Sequence, residues 1–144
     1  MTLSACETAI GKSGGDDGPL GFAQAFLTAG ARSVCLSLWK VDDAATALLM
    51  DRFYRNLLGK RDGLDKPMGK ADALHEAKLW LRNLSSDDAT QRLATISKGV
   101  SRGGGAKAIE IAIPKSADAK PEAAKKPFDH PKYWAAFILI GDPN

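Results

Sequence analysis

Two places in this sequence carry side chains that could do chemistry: a cysteine at the end of one strand-like segment, and acidic and aromatic residues just beyond another. Cys6 closes the run Met1-Thr2-Leu3-Ser4-Ala5-Cys6 and leads into the Gly/Asp-rich stretch Gly11-Lys12-Ser13-Gly14-Gly15-Asp16-Asp17-Gly18. A thiol at the carboxyl tip of a strand, facing a loop, stands where an open α/β sheet presents reactive groups. The chemistry would be nucleophilic attack by the thiolate, which needs a base or cation to hold the proton off. Local charge works against that form. Between Met1 and Gly30, Lys12 faces Glu7, Asp16 and Asp17, and nearby negative charge disfavours a thiolate. The same acidity suits a substrate with a basic side chain. The two histidines read as structural: His75 lies in a helical pattern beside Leu74, and His130 precedes Pro131 as a turn or capping residue. Asp42 and Asp43 read as a shared helix N-cap, Trp39 as pocket wall or core, and Cys35 as a small buried hydrophobe within a strand.

The elements that must position these groups alternate in type. Thr2 to Ala5 reads as the end of a buried strand. Pro19 opens a helix with Asp17 or Gly18 as its cap, Leu20, Ala23, Phe26 and Leu27 as its apolar stripe, and Gly30 as its stop. Ser33-Val34-Cys35-Leu36-Ser37-Leu38-Trp39 is a continuous apolar run, suited to a strand covered on both faces. Ala45, Leu48, Leu49, Phe53 and Leu57 recur at helical spacing after the aspartates, and a third helix from near Pro67 carries Leu74, Ala77, Trp80, Leu81 and Leu84. Strands alternating with helices predict an α/β fold with a mostly parallel sheet flanked by helices.

From about Ser85 the character changes. Gly103-Gly104-Gly105 and the Ala/Lys/Pro stretch from Lys115 to Lys126 cannot bury a core and read as linker. Eight Lys/Arg oppose three Asp/Glu between Arg92 and Phe128, so roughly all the net positive charge lies here. Ala108-Ile109-Glu110-Ile111-Ala112-Ile113 alternates like a half-buried strand of an edge hairpin. Residues 85–128 are therefore expected to form a low-complexity insertion within one domain spanning 1–144. Tyr133 to Ile140 reads as a last buried strand, packed by Trp134 and Phe137 and stopped by Gly141-Asp142-Pro143.

Composition narrows the function. The chain has 144 residues and a formal charge of +3, enough for one domain that buries roughly 70% of its unfolded surface. That charge, with no basic-aromatic motif, does not point to nucleic acid. There is no apolar run of membrane length, and no signal peptide is expected from the opening residues. Two distant cysteines make no disulfide framework, so a reducing cytoplasm is expected. Neither a metal site nor a cofactor is expected from so few, scattered ligands.

Leu3-Ser4-Ala5-Cys6-Glu7-Thr8-Ala9, then Pro19 to Val34, Ser37-Leu38-Trp39-Lys40-Val41-Asp42-Asp43, and His130-Pro131-Lys132-Tyr133-Trp134-Ala135-Ala136-Phe137 closely resemble the CHAT domain. This family is caspase-like, in the clan that also contains separase. The resemblance covers roughly Thr2 to Leu84 and Asp129 to Gly141. It implies a His/Cys dyad acting on peptide bonds, with Cys6 as nucleophile and its backbone N–H as half of an oxyanion hole. It also implies that Asp43, in a stretch resembling separase's acidic pocket floor, recognises a basic side chain next to Trp39.

The family's histidine lies in a His-Gly motif upstream of the cysteine strand, where this sequence has no counterpart. The resemblance therefore identifies the chain as the C-terminal half of a caspase-like sheet, its first strands absent. Met1 stands where the family usually has a hydrophobic residue such as valine. A valine codon GTG read as a bacterial start would account for it. The expected partners are a protein substrate or regulatory protein and the upstream half of the domain, which often follows tetratricopeptide-type repeats. Two functions follow from different classes: a cysteine peptidase module inactive without its histidine, or a catalytically dead interaction or regulatory remnant. Alone, the chain is expected to be soluble only as an oligomer or with that half bound.

Overall fold

The computed structural model describes residues 2–3, 18–100 and 126–144. Strand β1 (Thr2–Leu3) is followed by helix α1 (Gly18–Thr28), strand β2 (Ser33–Ser37), and helices α2 (Asp43–Leu57), α3 (Lys70–Asn83) and α4 (Ser86–Val100). A 3-10 turn at Pro131–Tyr133 leads into strand β3 (Phe137–Gly141). Cys6, the Gly/Asp-rich stretch through Asp17, the Gly103–Gly105 linker, the alternating run at Ala108–Ile113 and the Ala/Lys/Pro stretch through Lys125 lie outside the described residues.

The chain is α/β, and among the described residues β2 lies at the centre of a three-stranded sheet of order β1-β2-β3. All five residues of β2 are buried, as its unbroken apolar run predicts for a strand covered on both faces. Alternation along β2 divides two layers. Val34 and Leu36 turn to α1, where they pack with Ala23, Phe26, Leu27, Ile138 and Ile140. Cys35 turns the other way, into the larger core formed with α2, α3 and α4. Leu48, Leu49 and Leu81 are fully buried there, each stabilising the fold by roughly 1.5–3 kcal/mol.

The described sheet is mixed, where the helix–strand alternation had implied mostly parallel pairing. β1 runs parallel to β2, with Thr2 opposite Cys35 and Leu3 opposite Leu36. β3 runs antiparallel to β2 over five pairs, from Ser37↔Phe137 to Ser33↔Gly141. The reason lies in where the helices leave the chain. α2 and α3 form an antiparallel hairpin: Asn56 meets Ala73, and Arg52 meets Glu76. The end of α3 returns to the carboxyl end of β2, where Lys126 donates to the Asn83 side chain at 3.1 Å and Arg82 sits over Trp134. A strand begun at that end can pair with β2 only by running back along it.

Element boundaries follow local chemistry. α1 ends in a Schellman motif: Gly30 takes φ +96°, its N–H donates to Leu27 O at 3.0 Å, and the Ala31 N–H donates to Phe26 O at 2.9 Å. α3 starts at Lys70 rather than near Pro67, with Gly69 as its cap. Residues 86–100, expected within the insertion, form α4 instead. Ser85 Oγ accepts from the Asp88 N–H at 3.1 Å and donates to its carboxylate at 2.6 Å, a serine N-cap held by the aspartate three residues on. Ala89 and Leu93 of α4 are buried against α2. Phe128, expected to lie at the insertion's end, is wholly buried and packs edge-on against Tyr133 at 5.4 Å. The last strand is shorter than its apolar run, because Tyr133 belongs to the 3-10 turn. Among the described residues no helix is long and apolar enough to cross a membrane.

Candidate active site

The carboxyl end of β2 is the point at which the sheet opens. Its last pairing is made just beyond Ser37, where the Leu38 N–H donates to Ala136 O at 2.9 Å. The chain then leaves the core: Leu38, Trp39 and Lys40 are exposed, and Val41 re-enters to anchor the approach to α2. Trp39 is fixed despite 39% exposure, because its indole Nε1–H donates to Lys132 O at 3.0 Å. That bond ties β2's outgoing loop to the turn before β3. Trp39 is thus a rigid aromatic wall at the surface, not a core residue.

The two aspartates do different jobs. Asp42 is the N-cap of α2: its backbone is non-helical (φ −58°, ψ 138°) and its Oδ1 accepts from the Ala45 N–H at 3.0 Å. Asp43 is the first helical residue and is exposed. The cap that sequence shared between them is filled by Asp42 alone. This leaves the exposed Asp43 carboxylate at the positive end of the helix, four residues past Trp39 in the sequence.

The remaining candidates have structural duties. His130 Nδ1 accepts from the Lys132 N–H at 3.1 Å, capping the 3-10 turn. His75 is exposed on α3. Cys35 is buried, and that burial, only partly opposed by the Lys78 charge, pushes its thiol up to about 11; it is no nucleophile at neutral pH. Trp134 donates from Nε1 to Asp129 O at 3.3 Å, and Phe137 is buried in the core. Ser37 was passed over in the sequence, yet its Oγ is buried at this end of β2 with no hydrogen-bond partner among the described residues. Its only signal was a polar residue closing an apolar strand. This end of β2 therefore presents an exposed indole at Trp39 and, at the start of α2, an exposed carboxylate at Asp43, two group types that can each interact with a cation.

The family model of the CHAT domain matches residues 1–142. No curated protein and no solved structure gives a significant match to the chain.

Proposed function

The chain belongs to the CHAT domain family, and we propose that it is the nucleophile-bearing part of a cysteine peptidase that cleaves a protein partner beside a basic residue. One observation carries this reading: Asp42 alone caps α2, leaving Asp43 exposed, four residues along the chain from a fixed, exposed Trp39. A substrate arginine or lysine would lie against the indole and pair with the Asp43 carboxylate. β1 points toward the same end of the sheet, with Leu3 opposite Leu36. Cys6 follows three residues after Leu3, a covalent tether of at most about 11 Å.

In this reading the Cys6 thiolate adds to the scissile carbonyl carbon, forming a C–S bond and an oxyanion. The oxyanion collapses, the C–N bond breaks, and the amine leaves with a proton from an imidazolium. Water then hydrolyses the thioester and restores the thiol. The histidine is supplied from outside this sequence, since His130 is engaged as a cap and His75 is exposed on α3. Further parallel strands of a caspase-like sheet belong with it.

The test compares this chain alone with the polypeptide encoded in frame through the upstream region, on peptides containing arginine, lysine or neutral residues. The longer polypeptide should cleave the basic peptides and lose all activity with Cys6→Ala. Asp43→Asn should lower kcat/KM on arginine peptides by about 10–100-fold, the worth of one charge-assisted contact, and leave neutral peptides unchanged. Cleavage by neither polypeptide would instead favour an interaction module without catalysis.

A further inference from the structure

Twelve residues along α2 from Asp43, roughly 18 Å at 1.5 Å per residue, a second group of side chains converges that peptide cleavage does not use. A cavity of about 130 Å³ is lined by Arg52, Arg55, Arg61, Asp62, Trp80 and Arg92. They come from α2, the loop after it, α3 and α4, so no single stretch of sequence announces the site.

Four guanidiniums meet here with their charges unevenly met. Arg52 donates Nε and Nη2 to Glu76, with Nε–Oε2 at 3.0 Å, and its guanidinium lies 5.1 Å from the centre of the Trp80 ring. Arg92 donates Nε and Nη2 to Asp51 Oδ2 at 2.8 and 2.5 Å. In both, the Nη1 hydrogens lie outside the pair. Among the described residues Arg55 reaches only Asp62, at 3.9 Å, and that carboxylate is fully exposed. Arg61 forms no ion pair among the described residues, and its Nε is buried without a hydrogen-bond partner. A guanidinium cannot shed its proton, so a buried N–H left unpaired among like charges raises the free energy of the empty cavity.

We propose that this cavity binds a phosphoryl group. Donors from Arg55 and Arg61, with the outer edges of Arg52 and Arg92, approach from several elements, which fits a tetrahedral dianion with three or more acceptor oxygens. A planar carboxylate would satisfy one fork and leave the rest. The volume is several times what a water needs and suits one terminal group, not a nucleotide. The group is therefore free inorganic phosphate or the phosphorylated side chain of a protein partner.

Calorimetric titration of the full chain with inorganic phosphate, with a phosphoserine peptide and with its unphosphorylated acidic counterpart tests this, with Trp80 fluorescence as a second readout. The chain should bind at least one phosphorylated probe saturably. Arg61→Gln and Arg55→Gln should each weaken binding by about tenfold or more, and Arg61→Lys should restore part of it. Phosphate should raise the melting temperature of the chain but not of Arg61→Gln. Phosphopeptide binding tenfold tighter than phosphate assigns the group to a partner; the reverse order assigns it to free phosphate. Equal binding of the acidic and phosphorylated peptides, no saturable binding of either phosphorylated probe, or unchanged affinity in both glutamine variants would overturn the proposal. Without ligand, Arg61→Gln should melt no lower than the parent chain, so folding loss does not obscure the result. Arg55→Gln provides the independent check.

Discussion

Replacing Asp42 and Asp43 one at a time by alanine separates two roles that adjacent, chemically identical side chains would otherwise confuse. Asp42→Ala removes the acceptor for the Ala45 N–H, a 3.0 Å bond, which costs about 1 kcal/mol as a lost N-cap. It also removes a negative charge from the helix's positive end, about 0.5 kcal/mol more. Asp43→Ala loses only the charge term, and alanine's better helix propensity offsets most of it. The expected difference is about 1.5 kcal/mol between two otherwise equivalent changes. In urea denaturation, with a slope near 2 kcal/mol/M, Asp42→Ala should lower the midpoint by about 0.7 M while Asp43→Ala leaves it nearly unchanged. Asp42→Asn, which caps as well as aspartate, should recover most of the loss. In the longer polypeptide, activity on arginine peptides should show the opposite order, falling with Asp43→Ala and not with Asp42→Asn. Equal destabilisation by the two alanine variants would mean that the cap is shared after all. Asp43 would then not be free to recognise a substrate, and the reasoning behind the proposed function would fail.

Gly141 takes φ +102°, and a Cβ there would lie 2.5 Å from Arg32 O and 3.1 Å from Ser33 Cα, backbone that cannot turn aside. Gly141→Ala should therefore cost about 3 kcal/mol, the left-handed conformation plus a displaced strand pair. Gly30→Ala, with nothing within 4 Å of its Cβ, should cost about 1–2 kcal/mol from conformation alone; equal midpoints for the two would refute the clash. Cys35, with its thiol raised to about 11 by burial, exists at pH 8 as roughly one part in a thousand thiolate. In a Cys6→Ser background it should resist iodoacetamide in the native chain and react promptly in urea. Labelling within minutes under native conditions would show that the core opens readily.

Much of this architecture is legible in the sequence where one stretch of chain decides the outcome. The stripes of α1, α2 and α3 and the unbroken run of β2 each declare their burial through local spacing. α4 is not legible because its stripe is thin. Ala89, Leu93 and Ile96 are its contribution to the core, scattered among polar residues, so composition outweighed periodicity. The serine N-cap at Ser85, with Asp88 three residues on, is the local signal for it. Antiparallel pairing of β3 was not legible, because direction depends on where three helices deliver the chain. Trp39's anchor on Lys132 and the arginine cavity were hidden for a similar reason: each joins residues far apart in the sequence. The Asp42/Asp43 choice was ambiguous in type and resolved only by backbone geometry.

The pairing of β2 with β3 also sets the order in which the molecule can be built. Arg32 and Asp142, joined by a 2.6 Å ion pair beside the sheet, stand 110 residues apart in the chain. During synthesis at about 5–20 residues per second, β2 leaves the ribosome several seconds before the strand that covers its flank exists. The α2–α3 hairpin, whose contacts are local, can form in that interval, but closing the sheet requires a long loop to be fixed first. Chains released without their last few residues would retain the helices and lose the lock on the central strand.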